Sequence, residues 1–246
     1  MRVPPVWVPG DTGGVEFLAE VWRRAIVTQP EPDAAVSLGL AAAALAAVVF
    51  AWPAVRMLVT VCHEAGHAVV ATLTGRTLTG IRLHSDTSGL TVSRGRPAGP
   101  GMAATMFAGY PAASMVGLGG AFVVGAGHGI GMLWLFVGLL ALMLLKIRNL
   151  YGALVVVGLG VLLGAASWYA PSRALSWLAY ALVWLLVLAG PRPVLELARR
   201  RSPTSDAAQL ARLTRVPQVL WVAAWLVITV GSLALAAPRL LPGVFG

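Results

Sequence analysis

The stretch Arg56–Gly75, RMLVTVCHEAGHAVVATLTG, combines an apolar, membrane-spanning pattern with ionisable side chains. Apart from its first arginine, it has the length of a transmembrane helix, which requires about 20 mostly apolar residues. Its middle nevertheless contains His63, Glu64 and His67. Because ionisable groups at membrane depth are energetically costly, they usually mark a functional site.

The composition of the whole chain predicts a membrane protein that crosses the bilayer several times. Of its 246 residues, 58% are apolar and only 11% are charged, which is too apolar for a soluble domain. Pro53 favours a sharp turn between the first two apolar runs. Seven runs have roughly the length of a membrane span, and they lie near residues 34–52, 54–74, 101–124, 129–145, 149–168, 174–190 and 218–237.

The net charge of +9 follows from the distribution of basic residues between the two sides of the membrane. With the N-terminus in the cytoplasm, 15 of the 18 Lys and Arg residues fall in inner segments, and only Arg56, Arg173 and Arg239 fall outside. This asymmetry satisfies the positive-inside rule. The sequence therefore predicts a multi-pass protein of the cell membrane with its N-terminus in the cytoplasm. The bilayer is a partner and nucleic acid is not.

Residues 1–33 are predicted to form a cytoplasmic N-terminal segment that contains an amphipathic helix. Val15, Leu18, Trp22 and Ile26 lie on one face of such a helix, with Glu and Arg residues opposite. This pattern is typical of a helix that lies in the membrane interface.

Residues 34–240 are predicted to form one membrane-embedded domain with a cytoplasmic loop at 191–217. After the second span, GIRLHSDTSGLTVSR alternates apolar and polar residues on both sides of a polar turn, which predicts a β-hairpin over 78–95. The expected fold class is an all-α polytopic membrane protein, with about seven transmembrane helices and a short β-hairpin after the second.

The motif His63-Glu64-Ala65-Gly66-His67 has the spacing of a zinc-hydrolase site. Residues four apart on a helix are separated by about 40° around the axis, so both histidines can bind one metal ion. Glu64 points about 100° away from His63, which suits a general base acting on zinc-bound water. A single cysteine in the chain excludes a cysteine-based metal cage. The predicted cofactor is Zn²⁺.

Three stretches of the chain resemble the site-2 protease family of intramembrane zinc metalloproteases, in particular its compact bacterial branch. HEAGH lies within a transmembrane helix, GIRLHSDTSGLT follows it, and SDAAQLARLT comes late in the chain. The resemblance covers roughly residues 54–225, and it implies that the membrane is the bacterial cytoplasmic membrane. It implies that the chain hydrolyses peptide bonds in or near transmembrane segments of other membrane proteins, which would be its substrates.

The third metal ligand is less directly defined, because the Leu-Asp-Gly stretch that supplies it in better-known members is absent. The acids that follow the motif are Asp86 in the hairpin turn, Glu196 in an amphipathic stretch and Asp206 at the start of a short helix. The resemblance favours Asp206 as the third zinc ligand, with Asp86 and Glu196 as alternatives. It also gives Asn149, the only asparagine, a substrate-binding role, although a polar residue at a helix end is an equal alternative.

Two other functions are compatible with an apolar chain of this kind. A catalytically silent relative would bind metal or transmembrane segments without cleaving them, but it would not need Glu64. A transporter would be expected to carry more intramembrane acids or internal repeats, and the sequence shows neither. An intramembrane zinc metalloendopeptidase is therefore the preferred prediction.

Overall fold

The computed structural model describes residues 13–200, 202–241 and 243–244. In this part of the chain there are eleven helices and one two-stranded antiparallel sheet. In chain order the elements are α1 Gly13–Ile26, α2 Ala34–Phe50, α3 Trp52–Leu73, β1 Thr77–Leu83, β2 Gly89–Arg94, α4 Pro100–Phe107, α5 Gly109–Gly125, α6 Gly129–Leu144, α7 Leu150–Tyr169, α8 Ser172–Ala189, α9 Pro191–Arg199, α10 Asp206–Thr214 and α11 Gln218–Leu240.

The helices confirm a multi-pass membrane protein but not the predicted seven spans. By length and composition, α7, the continuous α8–α9 segment and α11 can each cross a membrane. The number rises to five if the bent pairs α2–α3 and α4–α5 each count as one span. Helix α6 is apolar but has only 16 residues. In the most apolar part of the α8–α9 segment, 56% of the residues are buried, whereas 17% are buried in that of α7. Helix α8 therefore lies at the centre of the bundle and α7 at its periphery.

The junction between α2 and α3 is a sharp corner, as Pro53 predicted. Pro53 lies in the first turn of α3, where its missing N–H costs no helical hydrogen bond. The two helix axes meet at 99°. Helix α3 therefore does not run back antiparallel to α2. It lies across the bundle and packs against the last turns of α6 and α8.

One end of the helix bundle, here called the N-terminal face, contains the segment that follows α1. It also contains the ends of α5 and α7 and the start of α8. These parts are joined by hydrogen bonds from Gln29 N to Gly127 O (2.8 Å), from Arg24 Nη1 to Trp168 O (2.9 Å) and from Ser176 Oγ to Pro30 O (2.9 Å).

The opposite end, here called the site face, contains the α2–α3 corner, the hairpin, the α6–α7 connection and residues 190–200 and 202–217. Arg192, at the start of α9, donates to Val48 O at the end of α2 and lies 4.3 Å above the Trp52 ring. Because α2 and α8 both start at the N-terminal face and end at the site face, they run in the same direction.

This arrangement corrects the predicted sidedness. Arg56 was expected outside and Glu196 inside, yet Arg56 Nη1 lies 3.7 Å from Glu196 Oε2. The segment 13–33 likewise lies on the face opposite to the loop 191–217, whereas the sequence predicted a shared cytoplasmic side. The physical reason is the corner at Pro53. Because α3 lies across the bundle and does not run back along α2, residues 13–33 and the hairpin lie at opposite ends of the bundle.

The predicted hairpin is present, with bounds close to the expected 78–95. Strands β1 and β2 pair in a register that places Ile81 opposite Thr91. The outer edge of β1 is closed by the α6–α7 connection, because Ile81 N donates to Lys146 O (2.8 Å) and Arg148 N donates to Ile81 O (2.9 Å).

Candidate metal centre

The structure brings His63, His67 and Asp206 together. His63 Nε2 and His67 Nε2 lie 2.9 Å apart. Asp206 Oδ2 lies 3.1 Å from the first and 3.2 Å from the second. Ligand atoms bound tetrahedrally at zinc distances of about 2.0–2.1 Å would be roughly 3.3 Å apart. The three side chains are therefore close to the separation that one metal ion requires.

Asp206 is the first residue of α10. Because Ser205, and not Asp206, caps this helix, the Asp206 carboxylate can face the histidines. Ser205 is the N-cap, and its Oγ accepts a hydrogen bond from Ala208 N at 3.3 Å. Burial raises the pKa of the Asp206 carboxyl, but the hydrogen bonds with His63 and His67 outweigh it and hold the pKa below its usual range. Asp206 is therefore an anionic group at neutral pH, as a metal ligand must be.

The orientation of His67 is set by α4. His67 Nδ1 lies 2.6 Å from the backbone carbonyl oxygen of Thr105. Because a carbonyl oxygen can only accept, Nδ1 must carry a proton. Nε2 is therefore the nitrogen that can give its lone pair to a metal, once it has lost any proton that it shares with Asp206 in the metal-free site. This carbonyl–histidine arrangement is the one that fixes the tautomer of metal-binding histidines.

The bend between α4 and α5 brings a third element to the site. The two helices meet at 64°, because Pro111 has no N–H to donate to the carbonyl of Phe107. Trp225 of α11 replaces this lost partner, donating from Nε1 to Phe107 O at 3.0 Å. Its indole also stacks on Tyr110 at 4.5 Å, and Tyr110 meets His63 edge to face at 5.0 Å.

Gly109, at the start of α5, leaves space in front of both histidines. A Cβ atom at this position would lie 2.5 Å from His67 Nε2 and 2.6 Å from His63 Nε2. The lone pairs are thus accessible only because residue 109 has no side chain. Two imidazole nitrogens, one carboxylate oxygen and this open space fit Zn²⁺, which takes exactly these donor types in hydrolases with three protein ligands.

We expect Gly109→Ala to lower zinc content strongly, because the added methyl group would occupy the space beside both Nε2 atoms. The measurement is zinc per chain in purified protein. Gly119→Ala is the matched control on the same helix, since nothing lies within 4 Å of a Cβ atom there. Full zinc content in Gly109→Ala would show that the metal is held elsewhere.

Glu64 lies next to the ligands and is almost completely buried, with 3% of its surface exposed. Its Oε2 accepts a hydrogen bond from Thr91 Oγ1 on β2 at 2.6 Å. On the other side, a Cβ atom on Gly89 would lie 2.4 Å from Glu64 Oε1. The carboxylate is therefore enclosed between α3 and β2.

The alternative third ligands lie elsewhere. The Ser88 hydroxyl and amide both donate to Asp86 Oδ1 (2.6 and 3.0 Å), and these bonds hold the pKa of Asp86 below its usual value. Asp86 thus stabilises its own turn. Glu196 pairs with Arg56 and Arg192 instead of facing the histidines. Within the described ranges, the one cluster able to hold a metal is the one that contains Asp206.

Asn149 lies just before α7 and is bonded to the hairpin. Its Nδ2 donates to Leu83 O at 2.6 Å, and its Oδ1 accepts from Leu83 N at 3.2 Å. The Asn149 side chain thus continues the hydrogen bonds that the α6–α7 connection makes along the outer edge of β1. Its predicted substrate-binding role stays a prediction.

The residues that the sequence did not single out are Thr91, Thr105 and Gly109. Alternation in GLTVSR places Gly89 and Thr91 on one face of β2, but it does not say which helix that face meets. Gly109 is one of 28 glycines. Only its position before Tyr110 and Pro111, at a point where a helix would be expected to bend, distinguishes it in the sequence.

The fold and the site together define a multi-pass membrane protein with a cluster of two histidines and one aspartate that could hold a metal ion. A family model described as Peptidase M50B-like matches residues 36–236. The chain therefore belongs to this family, and with it to the site-2 proteases that the sequence predicted. The chain matches no curated protein and no solved structure. Family membership indicates a peptidase.

Proposed function

We propose that the protein is an intramembrane zinc metalloprotease that hydrolyses peptide bonds in or near transmembrane segments of membrane proteins. The observation that carries this proposal is the cluster of His63, His67 and Asp206, with ligand atoms no more than 3.2 Å apart, beside the buried Glu64. A catalytically silent metal binder is the second candidate. A silent metal binder would not need the buried carboxylate of Glu64 next to the ligands.

In this proposal His63, His67 and Asp206 hold the metal. Bound zinc would polarise the scissile carbonyl and activate water for attack. Thr105 keeps the proton of His67 on Nδ1, so that Nε2 remains a ligand. The Tyr110 ring packs against His63 and is itself stacked on Trp225, which would restrict the movement of the His63 ring.

Glu64 would take a proton from the attacking water and deliver it to the nitrogen of the leaving amine. General acid–base catalysis of this kind contributes about 10²–10⁴-fold to a rate. Because Glu64 is adjacent to His63 in the chain but points away from it around the helix, it can act on water without competing for the metal.

A peptide bond in a helical substrate is shielded by its own hydrogen bonds, so the substrate must be extended before cleavage. The outer edge of β2 can bind such a segment by adding a strand to the sheet. The N–H and C=O of Ile81 both face residues 146–148. Ile81 and Thr91 therefore form a pair without hydrogen bonds between them, and the N–H and C=O of Thr91 point to the outer edge of β2.

Gly89 is oriented in the same way as Thr91. Its partner Leu83 directs both backbone groups to Asn149, so the backbone groups of Gly89 also point outward. In the described part of the chain, no backbone group from another element bonds to this edge. A substrate strand bound there would lie alongside the strand that contacts Glu64.

We expect Ser93→Pro to weaken substrate binding without loss of zinc. Ser93 follows Thr91 by two residues, so its N–H also points outward, and proline is tolerated at such edge positions. Losing one hydrogen bond to substrate would raise KM roughly fivefold. Ser93→Ala is the control, because it removes only the bond from Arg76 (3.0 Å). Equal KM values for the two variants would argue against strand addition.

Incubation of the purified protein with a panel of single-span membrane proteins in proteoliposomes tests the proposed function. New termini within or near the spans, identified by mass spectrometry, are the expected result. Stable binding of these substrates without new termini would instead favour the silent metal binder.

We also propose that the site face is cytoplasmic, in the cell membrane, and that residues 13–33 lie on the outer side. Of the 16 Lys and Arg residues in the described ranges, 12 lie on the site face, as the positive-inside rule requires. An impermeant maleimide added to whole cells should label Ser172→Cys and spare Ser202→Cys. The reverse pattern would contradict this orientation.

A further inference from the structure

We infer that Thr91 is a positioning residue for the general base, and that strand β2 thereby links substrate binding to the orientation of Glu64. The inference rests on the proposed function, since the orientation of Glu64 matters only if this carboxylate transfers protons.

The contacts of Glu64 with β2 are short and specific. Thr91 Oγ1 lies 2.6 Å from Glu64 Oε2 and 3.1 Å from the backbone oxygen of Glu64. Among the described residues, Thr91 is the only hydrogen-bond donor to this carboxylate. Gly89 covers the second carboxylate oxygen, as its missing Cβ shows. The rotamer of Glu64 is therefore determined by two residues of one strand.

The hairpin does not need this contact in order to dock on α3. One turn before Glu64, Thr60 Oγ1 donates to Thr87 O at 2.8 Å. Apolar packing of Ile81 and Leu83 against Val61 and Ala68 adds a second, independent attachment. The Thr91 hydroxyl is therefore not required to hold the hairpin against α3. Its effect is to hold the Glu64 carboxylate in one position.

Thr91 also faces the expected substrate. Its backbone N–H and C=O point to the free edge of β2, while its hydroxyl points to Glu64. A substrate strand added at this edge would bond to the same residue that orients the base. Binding of an extended segment and correct placement of Glu64 would then depend on one short piece of strand.

The test compares three hydroxyl variants in the full-length protein. Thr91→Val keeps the side-chain shape and removes the hydroxyl. We expect its kcat to fall about 10–100-fold, the usual effect of losing an outer hydrogen-bond partner at a metal site. KM and zinc content should stay near the wild-type values. Thr91→Ser should restore kcat, because it returns the hydroxyl without the methyl group.

Thr60→Val is the matched control, since it removes an equivalent hydroxyl between α3 and the hairpin without touching Glu64. If kcat falls no further in Thr91→Val than in Thr60→Val, or if Thr91→Val loses zinc, the positioning role is overturned. In that case the proposed function still stands, provided that the wild type cleaves and Glu64→Gln does not. Cleavage by Glu64→Gln at the wild-type rate would overturn both.

Discussion

Replacing Glu64 with glutamine is expected to abolish peptide cleavage while zinc content stays at the wild-type level. The glutamine side chain keeps the shape of Glu64 and can accept the hydrogen bond from Thr91, but it cannot take up a proton. The rate should fall by at least the 10²–10⁴-fold that general acid–base catalysis typically supplies. The measurement is kcat on a reconstituted single-span substrate, together with zinc per chain.

Glu196→Gln is the matched control for this change. Glu196 is also a partly buried glutamate of the site face, but it pairs with Arg56 and Arg192 and not with the cluster. Its substitution should leave kcat nearly unchanged. Unchanged turnover in Glu64→Gln would remove the general base from the mechanism.

The second large effect concerns Asp206. Asp206→Ala should lower zinc content sharply and remove activity, because two histidines alone leave a zinc site one protein ligand short. An acid that merely stabilised the start of α10 would instead cost about 1 kcal/mol of stability or less. Zinc per chain after brief exposure to a chelator distinguishes these outcomes.

Asp86→Ala is the control, since Asp86 is bonded only to its own turn and should be dispensable for zinc binding. If Asp86→Ala lost zinc and Asp206→Ala kept it, the third ligand would come from the hairpin and not from α10.

Close approach of backbone elements makes this site possible. Gly66 lets α5 pack against α3, since its Cβ would lie 2.7 Å from Ala108 O. Gly89 lets β2 cover Glu64, and Gly109 leaves space beside the histidines. Two elements, α5 and β2, thus converge on one turn of α3. Side chains larger than hydrogen at these three glycine positions would push α5 and β2 away from α3.

Access to the site is uneven. The His63 side chain is 22% exposed, that of Asp206 16%, and that of His67 only 7%. Water and the scissile bond would therefore approach from the side of His63 and Asp206. This side belongs to the site face, where most basic residues lie and where the proposal places the cytoplasm.

The chemistry of the site could be predicted from the sequence because it is local. The spacing of His63 and His67 defines a chelating pair on any helix. The position of Asp206 at the start of a short helix was also predicted, and the hairpin followed from the alternation of apolar and polar residues. Asp206 required the family resemblance, because nothing in the residues between 67 and 206 states that these two segments meet.

The path of the chain through the membrane could not be predicted in the same way. Hydropathy counts apolar residues and carries no information about helix direction, so α3 was taken as a span when it lies across the bundle. The predicted sidedness also satisfied the positive-inside rule, because few basic residues distinguish the two arrangements: among the described residues only Arg23, Arg24 and Arg56 change side. The contact between Arg56 and Glu196 and the hydrogen bonds of residues 29 and 30 at the opposite end of the bundle reveal the difference.

Titration of metal-free protein with zinc, followed by the rate of cleavage of a single-span substrate, tests the central claim most directly. The account predicts no cleavage without metal, and a rate that rises linearly and reaches its maximum at one zinc per chain. Cleavage that persists in the metal-free protein, or no cleavage when one zinc per chain is bound, would contradict it.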